Sequence, residues 1–199
     1  MKPPSAPQAD QAMPDLRPYV IRTYDRWIIL LIVLVAGWLL FRPVFAVVAA
    51  YRGVTFEASL FPDTAEHYYR KAIAIDRSVP DGWIRLGELF YNFSYGQRSR
   101  YLEAADAFEA GSAACPANGR LPFDLGRTYM LALKEPKKAE AAFRESVRRD
   151  PSDEFAWDYL GWAALKAGDR ATAVAAWRQV LKINPGHDAA RRAIQTYGG

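Results

Sequence analysis

Apolar and polar residues follow two different patterns on either side of about residue 50. From Ile28 to Phe41 the run IILLIVLVAGWLLF holds no charge, and Val44 to Ala50 are again all apolar. Further on, apolar residues recur three and four apart in successive segments broken by Pro, Gly, Asp and Asn, the pattern of helices buried along one face. The chain is therefore expected to be all-α, with one apolar helix ahead of a series of amphipathic ones.

Fourteen residues of helix reach about 21 Å, short of the roughly 30 Å hydrocarbon layer. Arg22, Asp25 and Arg26 block extension upstream, so the span is expected to continue through Arg42-Pro43 to about Val48, giving a transmembrane helix over residues 24–50. On that helix Arg42 would snorkel towards the headgroups, and Pro43 would cost the hydrogen bond to the Leu39 carbonyl. Trp27, Arg42, Tyr51 and Arg52 are the expected interface residues. Two alternatives stay open: Arg42 as a functional charge inside an assembly, and cleavage after Val48-Ala49-Ala50 as a signal peptide. Arg17, Arg22 and Arg26 precede the span, which places the amino terminus in the cytoplasm and the rest across the membrane. Residues 1–23, with four prolines in the first fourteen, are expected to be a disordered tail.

The downstream segments repeat. Residues 81–116 and 154–185 both read Trp-x-x-Leu-Gly, then an Ala four residues before an aromatic, then a Pro eight residues later. Residues 123–151 carry Leu-Gly-x-x-Tyr followed by Ala139, Phe143 and Pro151. In this the chain resembles the tetratricopeptide-repeat family, whose unit is a helix-turn-helix of 34 residues. The signature falls on Trp83, Leu86, Gly87, Phe90, Ala104 and Phe108; on Leu125, Gly126, Tyr129, Ala139 and Phe143; and on Trp157, Leu160, Gly161, Ala173 and Trp177. These are packing residues. The first copy is five residues longer than the family norm between Phe90 and Ala104, and the next has one extra residue, placed in the turn Lys134-Glu135-Pro136.

Counting back 34 residues from Trp83 reaches a degenerate copy. Ala65, Tyr69 and Ala72 take the second-helix positions, Gly53 and Phe56 the first-helix ones, and Asp63 with Glu66 has the spacing of a capping box. The resemblance thus implies a right-handed helix-turn-helix solenoid over residues 46–185, with repeats at about 46–79, 80–118, 119–153 and 154–187 and a capping helix and tail over 186–199. Its first helix would be shared with the end of the membrane span, so that no linker separates the two.

In this family the first helices line a groove that holds a peptide. Carried over, the lining is Ile84, Glu88 and Tyr91, then Phe123, Arg127 and Met130, then Asp158, Trp162 and Leu165. Leu165 and Trp162 can instead pack on the capping helix. The family's clamp for acidic chaperone tails needs Lys and Asn where this chain has Ile84, Glu88 and Phe123, which argues against that ligand. The insertion NFSYGQRSR, residues 92–100, reads equally as a second contact site or a longer turn.

Charge and chemistry narrow the function. The formal charge of +4 is concentrated ahead of residue 53, where six basic residues face three acidic ones, so the repeats are nearly neutral and carry no basic stripe for nucleic acid. Cys115 is alone, which excludes an intrachain disulfide. His67 and His187 stand at no metal-ligand spacing, and no nucleophile elbow, P-loop or dinucleotide fingerprint occurs. No enzyme, cofactor, metal or small-molecule substrate is expected. The expected function is a membrane-anchored module binding a protein or peptide partner, as scaffold or assembly factor of an envelope complex, similar to bacterial inner-membrane proteins that display such repeats in the periplasm. A cytosol-facing receptor or adaptor, and a non-catalytic subunit of a membrane enzyme system, remain the alternatives.

Overall fold

A computed structural model describes residues 23–199 of the chain, and side chains from residue 26 onward; the expected tail lies outside the described residues but for Thr23, which opens the first helix. Every regular element among them is helical, and they divide into two units, one up to Leu40 and one from Phe41 to Gly199. Helix α1 (Thr23–Ala58) runs unbroken through Pro43. In the first unit its apolar side chains, among them Trp27, Leu31, Leu34 and Leu40, are all exposed. Among the described residues one helical stretch, Arg26–Ala58, is long and apolar enough to cross a membrane, with a mean hydropathy of 2.5 in its most apolar part.

The second unit is a stack of antiparallel helix pairs. The carboxy-terminal part of α1 pairs with α2 (Pro62–Ile75), α3 (Pro80–Asn92) with α4 (Arg98–Ala114), and α5 (Arg120–Arg127), prolonged by a π-helical turn over Thr128–Leu133, with α6 (Pro136–Arg149). Then α7 (Glu154–Ala167) pairs with α8 (Arg170–Ile183), and α9 (Asp188–Tyr197) closes the series. One contact defines every pair. A Cβ added to Gly53 would lie 2.6 Å from Cδ1 of Tyr69; one on Gly87 would lie 2.5 Å from the Phe108 ring, one on Gly126 2.7 Å from Phe143, and one on Gly161 2.5 Å from Trp177. Glycine is required there because each aromatic ring occupies the space that a Cβ on the facing helix would need. The degenerate repeat is therefore built like the others: Ala49 and Ala50 are buried, Phe56 stacks on Tyr68 at 5.3 Å, and the Tyr69 hydroxyl donates to Glu57 at 2.6 Å.

The turns between repeats also recur. The Oδ1 of Asp76 accepts from the backbone N–H and hydroxyl of Ser78, and that of Asp150 does the same with Ser152. Trp83 and Trp157 each donate an indole N–H to the carbonyl six residues back, Arg77 and Pro151. Pro122 occupies the equivalent place in the repeat between them, where the Ser146 hydroxyl bonds the Gly119 carbonyl at 2.9 Å instead.

Three expectations change. Asp63 and Glu66 form no capping box: Phe61 is the N-cap of α2 without a side-chain cap, Pro62 opens the helix, and Glu66 pairs with Arg70. Proline supplies the helical φ and has no N–H to satisfy, so the cap is not needed there. The extra residue of the third pair is taken up by the π-helical turn and not by Lys134-Glu135-Pro136, so Gly126 still meets Phe143 although their separation is one residue longer than Gly161 to Trp177. Arg42 does not reach outward: its Nε donates to the Ile75 carbonyl at 2.9 Å and its guanidinium lies 3.6 Å from Asp76, so it closes the end of α2.

The longer connection after α3 is a structured turn. Ser94 is buried, Tyr95 and Gly96 both have positive φ, and Arg98 donates to the Leu133 carbonyl at 3.2 Å and to Glu135 at 2.7 Å, tying this turn to the next repeat. Cys115 is buried with its thiol against the carbonyls of Arg77 and Ser78, and burial raises its pKa. His187 caps α9 by accepting the N–H of Ala190 at Nδ1, and no His, Cys or carboxylate cluster suited to a metal occurs among the described residues.

Candidate functional site

Successive first helices leave two clefts between them. The first, of about 210 Å³, lies between α3 and α5 and is lined by Glu88, Tyr91, Asn92, Asp124, Arg127 and Thr128 with Phe108 at its base. The second, of about 480 Å³, lies between α5 and α7 and takes in Arg120, Phe123, Asp124 and Arg127 on one side and Phe155 and Tyr159 on the other. Asp124 and Arg127 border both, so the two clefts form one track along the first helices.

Helical spacing builds the floor of this track. Arg120, Asp124 and Arg127 stand four and three residues apart on one face of α5. Asp124 accepts from Arg120 Nε at 3.3 Å and from Arg127 at 3.1 Å, while Glu88 accepts from Arg120 at 2.5 Å and from Arg85 at 3.1 Å. The Asp124 side chain is only 6% exposed. Burial raises its pKa, and the attraction of Arg120 and Arg127 offsets only part of that. The guanidiniums lie outside the carboxylates, Arg127 being 41% exposed and seated 5.9 Å over the Phe123 ring. Phe123 in turn meets Tyr159 edge-on at 5.4 Å and Phe143 at 5.7 Å.

Of the nine residues expected to line the groove, Glu88, Tyr91, Phe123 and Arg127 come together on this track. Ile84 and Met130 are core residues, 7% and 8% exposed, and offer little surface. Asp158 accepts the indole N–H of Trp177 at 3.1 Å, and burial raises its carboxyl pKa. Trp162 packs edge-on against Trp177 at 5.0 Å, and both Trp162 and Leu165 pack against the cluster that includes Ala190 and Ala193 of α9. Asp158 thus serves α8, and Trp162 and Leu165 serve the closing helix. The helix-packing residues fall where the repeat requires: Trp83, Leu86, Phe90, Ala104, Leu160 and Ala173 are buried, and Leu125, Tyr129 and Trp157 are half-buried against the core. Trp27, Tyr51 and Arg52 are exposed.

Sequence reasoning missed Arg120, Asp124, Phe155 and Tyr159. The spacing of Arg120, Asp124 and Arg127 was visible, but reads as an ordinary solvated helix face until the burial of Asp124 is known. Tyr159 stands where the pattern gives no rule.

Two family models described as tetratricopeptide repeat match the chain, over residues 94–154 and 154–187. No curated protein sequence matches it. Among solved structures, YrrB, titled a TPR protein with an unusual peptide-binding site, is similar with 23% identity and a TM-score of 0.60, over 75% of this chain and 74% of its own. MamA is similar with 17% identity and a TM-score of 0.61, over 73% and 81%. The second TPR domain of human RPAP3, solved in complex with the HSP70 peptide SGPTIEEVD, is similar with 22% identity and a TM-score of 0.51, over 60% and 98%. With its recurring glycine–aromatic pairs and these matches, the unit from Phe41 onward has the fold of a tetratricopeptide-repeat solenoid.

Proposed function

We propose that this chain is a membrane-anchored docking module: α1 holds it in a membrane, and the track along α3, α5 and α7 binds a peptide segment of a protein partner, making the chain a scaffold or assembly factor of a membrane complex. The observation that carries the reading is the line of partly exposed Tyr91, Phe123, Tyr159 and Arg127 bordering two joined clefts, since aromatics with an arginine are the composition of interface hot spots. Peptide binding by YrrB and RPAP3, which share the fold, supports it. The role is non-catalytic, and the basic residues ahead of α1 favour a cytoplasmic amino terminus with the repeats across a bacterial inner membrane.

A photo-crosslinking amino acid at Tyr91, in native membranes, tests the site. A discrete adduct from Tyr91, lost in Arg127→Ala and not formed from exposed Arg148 on α6, is expected. Adducts formed equally from Arg148, or only from Arg148, would overturn the groove reading. Alkaline phosphatase fused to the carboxy terminus tests topology, with activity expected because the enzyme works only outside the cytoplasm.

A further inference from the structure

The second cleft carries Arg127 at one end and the carboxylates Asp150 and Asp153 at the other, where Arg120 is turned to Asp124 and Glu88. Glu88 on α3 and Asp124 on α5 have both oxygens engaged, and Arg120 spends Nε and one terminal nitrogen on them. Arg127 spends one terminal nitrogen, and among the described residues its Nε and other terminal nitrogen are uncommitted. An arginine has five N–H donors in a fork suited to a carboxylate. With Arg85 on Glu88, the network holds three guanidiniums to two carboxylates, and it is cationic towards solvent because the carboxylates lie beneath the guanidiniums.

The far end is acidic. Asp150 and Asp153, in the turn between α6 and α7, line the same cleft. Ser152 binds Oδ1 of Asp150 through its N–H and hydroxyl, which holds that carboxyl below its usual range and ionised. Asp153 caps α7 through Oδ1 alone, accepting from the N–H groups of Phe155 and Ala156. Asp150 stands beside Gly119, whose added Cβ would lie 3.1 Å from that of Asp150. Gly119 to Arg127 is eight residues of helix, so the poles are about 12 Å apart, the length of roughly four residues of extended peptide. Between the poles stand Phe123, Tyr159 and Phe155, the last 64% exposed.

We propose, on the basis of the groove reading above, that this cleft selects a peptide segment in which one bulky apolar residue is flanked by an acidic residue on one side and a basic residue on the other. The acidic side chain meets Arg127, the apolar anchor sits among Phe123, Phe155 and Tyr159, and the basic side chain meets Asp150 and Asp153. Like-charged flanks fail at one pole, where a charge would meet its own sign at close range. An acidic tail with no basic residue, like the peptide held by RPAP3, is thereby disfavoured.

The test uses the full chain in lipid nanodiscs and fluorescein-labelled nonapeptides with a central Trp, flanked two residues away by Asp and Arg, by Asp and Asp, by Arg and Arg, or by Ser and Ser. Anisotropy is expected to show the mixed pair binding at least about tenfold tighter than the others. Asp150→Asn with Asp153→Asn keeps the Asx turn and the cap, since Asn serves both, and is expected to abolish discrimination against the Asp and Asp probe. Arg127→Gln is expected to abolish discrimination against the Arg and Arg probe. Equal binding of all four probes, or discrimination unchanged in these variants, would overturn the charge rule while leaving the groove in place. Failure of all four alongside a Tyr91 adduct would do the same; failure of both the probes and the adduct would remove the groove reading itself.

Discussion

Arg42 Nε donates to the carbonyl of Ile75 at 2.9 Å, joining two residues 33 positions apart. Ile75 ends α2, where the last carbonyls have no partner within the helix, so Arg42 supplies a donor that the helix lacks. Asp76, kept ionised mainly by the Ser78 hydroxyl and backbone, adds a partner of opposite charge. An arginine within an apolar run is thus explained by the repeat that follows it.

Arg42→Leu separates this role from a lipid-facing one. A leucine there makes the segment more apolar and would leave stability unchanged or higher if the guanidinium served only to reach headgroups. With the bond to Ile75 lost, we expect a destabilisation of about 1 kcal/mol, limited because the pair is partly exposed. Denaturant unfolding of the full chain in detergent micelles, followed by helical circular dichroism, measures it.

Gly53, Gly87, Gly126 and Gly161 are expected to tolerate alanine poorly, at about 1–3 kcal/mol each, because a buried rigid ring already fills the place of the added Cβ. Gly37, where an added Cβ meets nothing within 4 Å, is the control and is expected to be neutral. Gly53→Ala is the most informative, since an equal loss there means that the degenerate repeat folds as part of the stack. Thermal melts of the five variants rank them.

The helix pairs were legible because each needs one residue type at one place: glycine where an aromatic lies against backbone. Gly53 could be found by register alone, although Ala49 and Arg52 replace the usual Trp and Leu around it. What was not legible depends on partners distant in sequence. Arg42 gives no sign of Ile75, and the charge of Asp124 gives no sign of its burial. Trp162 and Tyr159 lie three residues apart on α7, yet the first packs beside α9 and the second lines the cleft, a difference made by the neighbouring helices and not by α7 itself.

Chain length shows that the third pair holds one extra residue but not where it goes. The π-helical turn Thr128–Leu133 absorbs it between Gly126 and the turn, ending at Lys134 with φ of 60°. Deleting Leu131, which is exposed, is therefore expected to convert this turn to regular α-helix and keep the fold, with Gly126 and Phe143 then separated as Gly161 and Trp177 are. Deleting Leu165 from α7, where no residue is spare, is expected to misplace the turn and unfold the pair. Circular dichroism and limited proteolysis compare the two; equal damage from both would show that the π-turn is not a store for the extra residue.

Arg149 gives the pH dependence its sign. One terminal nitrogen faces the carbonyls of Ser112, Cys115 and Asn118, at 3.1, 3.2 and 3.1 Å, closing the end of α4, while Nε donates to Glu145 at 2.7 Å. Arg148, which donates to both Glu145 oxygens at 2.7 and 2.6 Å, and then Arg149 lower the Glu145 carboxyl to about 2. A carboxyl lowered by folding stabilises fully above its unfolded value, about 4.3, and loses that contribution as pH falls towards 2. Glu145→Gln is thus expected to be less stable than the parent at pH 7, with the gap closing between about pH 4 and pH 2. Arg149→Met removes this donor from the Ser112 and Asn118 carbonyls, while that of Cys115 keeps the Asn118 N–H, and is expected to cost about 2 kcal/mol across that whole range, because the arginine does not titrate there. Urea unfolding at pH 7, 4 and 2.5 reads both; a Glu145→Gln gap that stays constant with pH would show that Arg149 is held by the carbonyls alone.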